Sequence, residues 1–210
     1  MFRYEKDMIP VLQNHIAKQF GIKHFAKEFN TGNGIADLVC SPKLSDEPLL
    51  FNDYALMSLF IQYFSTTIHI NTDTLFQICN DTKRLRKVID LLKLHGYLIS
   101  DQCSLVQKKK YSPPVEKMYS IEAKLTDWKA GLFQALRYQF FSHKSFLAYP
   151  AYYIHRVDID LFKKYNLGLI AVEENNIRVI IDPKEVAPVD MVSYCTLSER
   201  FLNTWQEIKA

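Results

Sequence analysis

Residues 119–150, YSIEAKLTDWKAGLFQALRYQFFSHKSFLAYP, decide the fold of this chain. They read as a short strand that ends in Glu122-Ala123-Lys124, then an amphipathic helix, then a second strand. Alternation along a strand places Glu122 and Lys124 on one face and Ala123 on the other. An acid two residues before a lysine also occurs elsewhere in the chain, in helical patterns or turns. Only Glu122 and Lys124 finish an apolar strand that leads into a helix.

Buried without partners, these two charges would be costly. A divalent cation at the carboxylate and a phosphodiester beside the ammonium would satisfy both of them. The triplet alone is a weak signal, so its weight depends on what accompanies it.

A second acid lies in a predicted hairpin near the start of the chain. Residues 25–30 and 35–40 read as two strands joined by Thr31-Gly32-Asn33-Gly34, a turn whose Asn and Gly tolerate positive φ. Asp37 follows that turn within an otherwise apolar strand. It is either a solvated residue at a strand end or a metal ligand, and partnership with the Glu-Ala-Lys triplet would favour the metal ligand.

The helix after the triplet carries a third polar pair. Gln134 and Tyr138 are four residues apart and therefore share a face. An ordinary core helix, with an amide and a phenol at its margin, is the alternative interpretation. The apolar residues expected to supply its packing are Leu132, Phe133, Leu136, Phe140 and Phe141.

The three motifs, in chain order, are Gly34-x-x-Asp37, Glu122-x-Lys124 and Gln134-x-x-x-Tyr138. Together they resemble the PD-(D/E)XK nuclease superfamily, and most of all its RecB-like and λ-exonuclease-like members. The resemblance covers about the first 40 residues and residues 115–182. It implies an α/β fold, a restriction-endonuclease-like αβββαβ core with a mixed central sheet. Two features depart from the pattern: Ala36 replaces the proline of the motif, and the motifs are separated by an unusually long segment.

The resemblance implies a Mg²⁺-dependent deoxyribonuclease, most simply an endonuclease, with Mn²⁺ able to replace Mg²⁺. Asp37 and Glu122, with the backbone carbonyl of Ala123, would hold the metal through hard oxygen ligands. Lys124 would orient the attacking water or stabilise the pentacovalent phosphate. These roles make the four residues the expected catalytic and metal-binding centre.

Three further residues belong to this interpretation, Gln134 as a catalytic residue and Tyr138 and Glu5 as candidate accessory residues. Gln134 would position the water or the scissile strand, and Tyr138 would brace its helix or contact the DNA backbone. A first helix is expected over residues 5–20, ending at Gly21. In many members of the superfamily this helix carries an acid near the active site. Glu5 is therefore a candidate third carboxylate, with surface solvation as the alternative.

The long separation is explained if residues 49–111 form an inserted domain, which leaves 1–48 and 112–210 as a discontinuous nuclease-like core. The order of elements resembles a winged helix-turn-helix domain. The predicted elements are a helix over 53–65 capped by Asp53, a helix over 71–79, a helix opened by Asp81, a stop at Gly96 and a hairpin over 97–109.

The insert carries the basic residues that would contact double-stranded DNA, in the major groove and at phosphates. The alternatives are a solvated helix face, or a winged helix that docks a protein partner and not DNA. The candidate DNA-binding residues are Lys83, Arg84, Arg86, Lys87 and Lys93 on the third helix and Lys108, Lys109 and Lys110 after the hairpin.

Composition sets broad limits on these interpretations. The chain has 210 residues, 48% of them hydrophobic, and a formal net charge of +3, so nucleic-acid binding would depend on local patches. Four scattered cysteines lack zinc-site spacing, which argues against a structural zinc. We expect a cytoplasmic protein without membrane contact, because neither a signal-peptide pattern nor a bilayer-length apolar run is found.

Two other functions remain open at this stage. The chain could be a DNA-binding or regulatory protein on a nuclease-like scaffold that does not cleave. It could also be the nuclease subunit of a transposition, restriction or defence complex. Because double-strand cleavage by single-site nucleases often needs two copies, a homodimer or a protein partner is also expected.

Overall fold

A computed structural model of the chain describes residues 2–45, 53–101, 104–109 and 111–209, with the side chains of residues 54, 64–66 and 205–209 left aside. The helices are α1 Met8–Phe20, α2 Tyr54–Thr66, α3 Thr72–Ile78, α4 Thr82–Leu94, α5 Trp128–Tyr138, α6 Ile159–Lys164 and α7 Met191–Lys209. The strands are β1 His24–Asn30, β2 Ile35–Ser41, β3 His69–Asn71, β4 Leu98–Asp101, β5 Ser104–Gln107, β6 Tyr119–Ala123, β7 Lys144–Pro150, β8 Gly168–Val172 and β9 Ile177–Ile181. Single 3-10 turns span Glu5–Asp7 and Ala151–Arg156.

A six-stranded mixed sheet, in the order β1-β2-β6-β7-β8-β9, forms the centre of the molecule. The first three strands are antiparallel neighbours, β6, β7 and β8 run parallel, and β9 returns antiparallel. The predicted mixed α/β class is therefore confirmed.

Helices cover both faces of the large sheet. On one face, α1 buries Met8, Leu12 and Ile16 in a cluster with Ile121 of β6. On the other face, α5 buries Leu132 and Ala135 against β7 and β8. Because helices cover both faces, the parallel strands are buried on both sides, most completely in β8, whose sequence GLIAV has no polar side chain.

The ends of these elements follow local sequence signals. The predicted first helix is present, although it begins as the 3-10 turn and becomes α-helical only at Met8. Gly21 ends α1 at φ 65°, in the left-handed region where glycine carries no steric penalty. Gly32 and Gly34 take positive φ in the predicted β1–β2 turn, whereas Asn33 does not.

Residues 53–109 form a second hydrophobic unit with its own core. The three predicted helices and the predicted hairpin are present, and each helix has its side-chain cap. Asp53 accepts from the Leu56 amide at 3.2 Å, Asn71 from Asp73 at 2.8 Å and Asp81 from Arg84 at 2.9 Å. The sequence did not predict β3, which pairs with β5 and makes a three-stranded antiparallel sheet in the order β3-β5-β4.

The second unit is attached to the rest of the molecule at two places. Its entry and exit segments meet where the Ser45 amide donates to the Pro114 carbonyl at 2.7 Å. Helix α2 packs along α7, and the Tyr111 hydroxyl donates to Glu199 Oε1 at 2.5 Å. The unit is therefore fixed to α7 as well as to the segments that connect it with β2 and β6.

One packing expectation on α5 is wrong. Phe133 is 66% exposed, whereas the buried face of the helix consists of Gly131, Leu132, Ala135 and Tyr138. Phe133 lies on the opposite side of the helix because these positions repeat at helical spacing. Phe201 and Leu202 on α7 are buried.

The candidate DNA-binding residue Lys110 lies outside the described residues. Across the described part of the chain, no helix combines the length and apolar character needed to cross a membrane.

Candidate active site

The Glu-Ala-Lys triplet lies where β6 ends, and Glu122 and Lys124 share a face as predicted. The Lys124 ammonium lies 2.8 Å from Glu122 Oε1. The other carboxylate oxygen of Glu122, Oε2, accepts a hydrogen bond from the Tyr138 hydroxyl at 2.9 Å. Glu122 is only 1% exposed, so each of its oxygens has a donor within the protein interior.

Pairing of β2 with β6 brings Asp37 to the triplet. Leu38 pairs with Ile121 in this antiparallel ladder, which places Asp37 beside the end of β6. Asp37 Oδ2 accepts a hydrogen bond from the Ala123 amide at 2.8 Å. Its second oxygen, Oδ1, makes no hydrogen bond with the described residues. The Asp37 side chain is half-buried, unlike that of a core residue or of a freely solvated one.

Glu5 reaches the same place from the 3-10 turn before α1. Its Oε1 accepts from the Leu125 amide at 3.2 Å, and its Oε2 lies 3.5 Å from the Lys124 ammonium. Lys124 therefore lies between the carboxylates of Glu5 and Glu122. The Glu5 side chain remains 43% exposed, so it is partly solvated as well as in contact with the site.

Burial and like charge both oppose ionisation of the two acids in this site. Burial raises the pKa of Glu122, outweighing the hydrogen bond from Lys124, and the charge of Asp37 adds to the rise. Burial likewise raises the pKa of Asp37, against the lowering effect of the Ala123 amide. Partial burial opposes the charge on Lys124, but the hydrogen bond and attraction of Glu122 raise its pKa above the usual value. The ammonium is therefore held protonated while two carboxylates nearby resist ionisation.

A divalent cation would relieve the repulsion between the two carboxylates. Mg²⁺ takes hard oxygen ligands, and proteins usually hold it through one or two carboxylates, leaving water or substrate in the other positions. Asp37 and Glu122 are of that type and number, and Oδ1 of Asp37 is without a hydrogen bond. Among the described residues, no group of three or more His, Cys, Asp or Glu side chains is close enough to hold a metal. The donors therefore fit a magnesium site with two carboxylates and no third one.

The two predicted residues of α5 differ in what they contact. The Tyr138 hydroxyl has a single proton to donate and lies within hydrogen-bond distance of Glu122 Oε2 and, at 2.7 Å, of the Ile35 carbonyl, so this buried phenol links α5 to β6 and β2. Gln134 is half-buried on the same helix. Its amide makes no hydrogen bond with the described residues, and the structure does not bring it into contact with the carboxylates.

Sequence reasoning missed Gly131, which lies against the stem of Lys124. A Cβ atom at this position would lie 2.8 Å from Lys124 Cγ and 2.5 Å from Leu147 Cδ1, closer than carbon atoms pack. Glycine inside a helix costs about 1 kcal/mol relative to alanine. The position of Gly131 inside a predicted helix was therefore a sequence signal that another group approaches the helix closely there.

Glu28 is a second residue that was missed. It takes φ 47° within β1, the strand beside β2, and its charge helps to raise the pKa of Asp37. A positive φ at a residue other than glycine is uncommon and marks local strain. An acid in a strand gave no sign of this conformation in the sequence.

The basic candidates on the second unit are exposed, but several are engaged within the protein. Arg84 forms an ion pair with Asp53, and the Arg86 guanidinium lies 5.9 Å from the centre of the Phe76 ring. The Lys109 ammonium lies 5.1 Å from the centre of the Tyr97 ring. The remaining described candidates are Lys83, Lys87 and Lys108, which are exposed, and Lys93, which is half-buried.

Comparisons of the chain with protein-family models, with curated proteins and with solved structures gave no match.

Proposed function

We propose that this protein is a metal-dependent deoxyribonuclease that hydrolyses phosphodiester bonds at Asp37, Glu122 and Lys124. The observation that carries the proposal is the buried carboxylate of Glu122, held between Lys124 and Tyr138, with Asp37 brought alongside by strand pairing. A buried acid and ammonium of raised pKa, next to a second acid, are typical of functional sites.

The order of elements supports the same proposal. Leaving out residues 53–109, the chain runs α1, β1, β2, β6, α5 and β7, which is the αβββαβ order of the PD-(D/E)XK nucleases that its motifs resemble. The second unit, with three helices and a hairpin, has the order of a winged helix. In this proposal it contributes DNA binding through Lys83, Lys87 and Lys108.

The residues of the site would divide the chemistry as follows. Asp37 and Glu122, with the Ala123 carbonyl, would hold Mg²⁺, which when bound lowers the pKa of a water and neutralises negative charge. Lys124, kept protonated, would donate to the phosphate as its charge grows in the transition state. Glu5 and Glu122 orient that ammonium from two sides.

Tyr138 acts through Glu122. Its hydroxyl fixes one carboxylate oxygen, leaving the carboxylate a single orientation at the end of β6. Gln134 would contribute only if substrate binding brought a DNA strand to the exposed side of α5.

A second candidate function is a DNA-binding or regulatory protein that does not cleave. It is favoured by the fact that both oxygens of Glu122 already have protein donors and that the described residues hold no third carboxylate in a metal-binding group. The engagement of Arg84, Arg86 and Lys109 within the chain similarly favours a second unit that docks a protein partner.

The experiment that tests the proposal is cleavage of supercoiled, linear and single-stranded DNA with Mg²⁺ or Mn²⁺. We expect Lys124→Ala to lower turnover by about 10²–10³-fold, as loss of a transition-state donor does. Asp37→Ala should raise the metal concentration needed for half-maximal cleavage. Lys163→Ala removes an exposed lysine of α6, paired with Asp160 at 3.4 Å, and should cleave like the wild type.

Metal binding gives a readout besides cleavage. Calorimetric titration with Mn²⁺ should show binding to the wild type and to Lys163→Ala, and weaker binding to Asp37→Ala. Folded protein that neither binds metal nor cuts any of the three substrates would contradict the proposal and leave the non-cleaving function.

A further inference from the structure

A cavity of about 710 Å³ opens at the carboxyl ends of the three parallel strands. Its walls include the residues that directly follow those strands: Leu125 and Thr126 after β6, Ala151 after β7, and Glu173 after β8. In open α/β sheets, ligands bind outside the carboxyl ends of the strands. The volume lies within the range of about 300–1,000 Å³ that small-molecule sites occupy.

The cavity adjoins the candidate active site. Leu125, which lines it, follows Lys124 in the chain and donates its amide to Glu5 at 3.2 Å. The cavity wall and the ammonium assigned to the scissile phosphate therefore belong to neighbouring residues at the end of β6.

Aromatic rings form one wall of the cavity. Tyr152 and Tyr153 lie on the 3-10 turn after β7, with ring centres 5.0 Å apart and planes at 81°. The Arg156 guanidinium lies 4.3 Å from the centre of the Tyr153 ring, which covers a face of that ring. Tyr152 is 74% exposed. An exposed tyrosine, next to a second tyrosine that stacks with an arginine, is the kind of surface on which the bases of single-stranded DNA stack.

Acidic residues on another wall decide which part of a nucleotide can enter. Glu173 and Glu174 line the cavity, and Glu173 lies 3.4 Å from the exposed Arg178. Carboxylates repel a phosphate but accept hydrogen bonds from the amino groups of bases. The charge pattern therefore favours a base inside the cavity and the phosphates outside it, toward Lys124 and Arg156.

We propose that this cavity binds an unpaired base of the DNA strand whose phosphate lies at Lys124, with Tyr152 as the stacking surface. This inference rests on the proposed nuclease function and specifies its substrate as a single-stranded or frayed segment. A base inside a continuous duplex is stacked and paired, and it would have to leave the helix to reach Tyr152.

The test is equilibrium binding of a fluorescent single-stranded DNA oligonucleotide to the full chain in EDTA, where binding is measured apart from metal-dependent cleavage. Tyr152→Ala should weaken binding about tenfold, which corresponds to about 1.4 kcal/mol. Tyr152→Phe keeps the ring and should bind like the wild type. An oligonucleotide with abasic sites should bind the wild type and Tyr152→Ala equally, and so should a blunt duplex.

Tyr165 offers a matched control at the amino ends of the parallel strands, opposite the cavity. It precedes β8, is 40% exposed, and has the Lys164 ammonium 5.4 Å from its ring centre. Tyr165→Ala therefore removes a solvent-exposed tyrosine next to a cation without touching the cavity. It should change single-strand binding by less than about twofold.

Each outcome separates this inference from the proposed function. Equal single-strand binding by the wild type and Tyr152→Ala, or no single-strand binding by the wild type, overturns the inference. Weakened binding by Tyr152→Ala without metal-dependent cleavage supports the base site and contradicts the nuclease. Cleavage by the wild type with unchanged binding by Tyr152→Ala supports the nuclease and contradicts the base site.

Discussion

Removing the hydroxyl of Tyr138 tests how the site holds Glu122. Tyr138→Phe deletes one oxygen from a buried ring and leaves its packing unchanged. The one proton of this hydroxyl is shared between the Glu122 carboxylate at 2.9 Å and the Ile35 carbonyl at 2.7 Å, and both acceptors lose it. Hydrogen bonds to charged groups contribute about 1.5–3 kcal/mol, and buried acceptors left without donors cost a similar amount. We expect the free energy of unfolding to fall by about 2 kcal/mol, which lowers the Tm by about 4–8 °C for a chain of this size.

The same substitution should change the pH dependence of cleavage. The hydrogen bond from Tyr138 lowers the pKa of Glu122, against the larger effect of burial. Without that bond the pKa rises further, so a higher pH is needed to ionise the carboxylate. The acid limb of the pH–rate profile should therefore move to higher pH. NMR titration of the glutamate carboxyl groups would measure the same displacement without turnover.

Tyr194→Phe is the matched control for this prediction. Tyr194 is also buried, and its single hydroxyl proton is also shared between two acceptors, but both are backbone carbonyls, of Val115 and, at 2.7 Å, of Glu116. It should lose comparable stability while keeping the wild-type pH–rate profile. A displacement of equal size in both variants, or no displacement in Tyr138→Phe, would refute the assigned role of Tyr138.

Three further predictions follow from the site and the second unit. Gly131→Ala gains about 1 kcal/mol of helix propensity, but its Cβ would lie 2.8 Å from Lys124 Cγ. Turnover should therefore fall, while the far-ultraviolet circular dichroism spectrum stays unchanged. Wild-type turnover in this variant would contradict the close packing of Gly131 against Lys124. The raised pKa values of Asp37 and Glu122 give stability that is present below about pH 4 and lost as the pH rises through the folded pKa values. Denaturant titrations should therefore show the wild type losing stability relative to Glu122→Gln as the pH rises from about 4 to neutral. Mg²⁺ should restore the lost stability of the wild type at neutral pH. Lys87→Ala should weaken duplex binding and reduce the slope of log affinity against log salt by about 1, and an unchanged slope would exclude a phosphate contact there.

Much of the fold could be predicted from local sequence because its signals are local. Capping residues such as Asp53 and Asp81 mark helix starts, and the glycines after α1 and between β1 and β2 mark reversals. The strand β3 could not be predicted, because a three-residue strand has too few positions to show alternation. It exists because β5 supplies the hydrogen-bonding partner.

The candidate site likewise has features that local sequence predicts and features that it does not. The shared face of Glu122 and Lys124 follows from strand geometry, and Asp37 could be named as a partner. The approach of Glu5 to Leu125 and the positive φ of Glu28 depend on how distant segments pack, which no local pattern encodes. The exposure of Phe133 shows the converse, since an apolar residue in a helical pattern was assigned to the wrong face.

The way the second unit begins and ends has a consequence for how the chain folds. Leu38 must pair with Ile121, so the central ladder of the large sheet joins residues that are far apart in sequence and pays the entropy of closing a long loop. Residues 53–109 bury a hydrophobic cluster of their own, and the flanking segments meet between Leu44 and Val115. If this unit forms first, it brings β2 and β6 close together and turns a distant encounter into a nearly local one. The folded unit would then speed formation of the large sheet relative to an unstructured segment of the same length, and loosening the unit's interior should slow it.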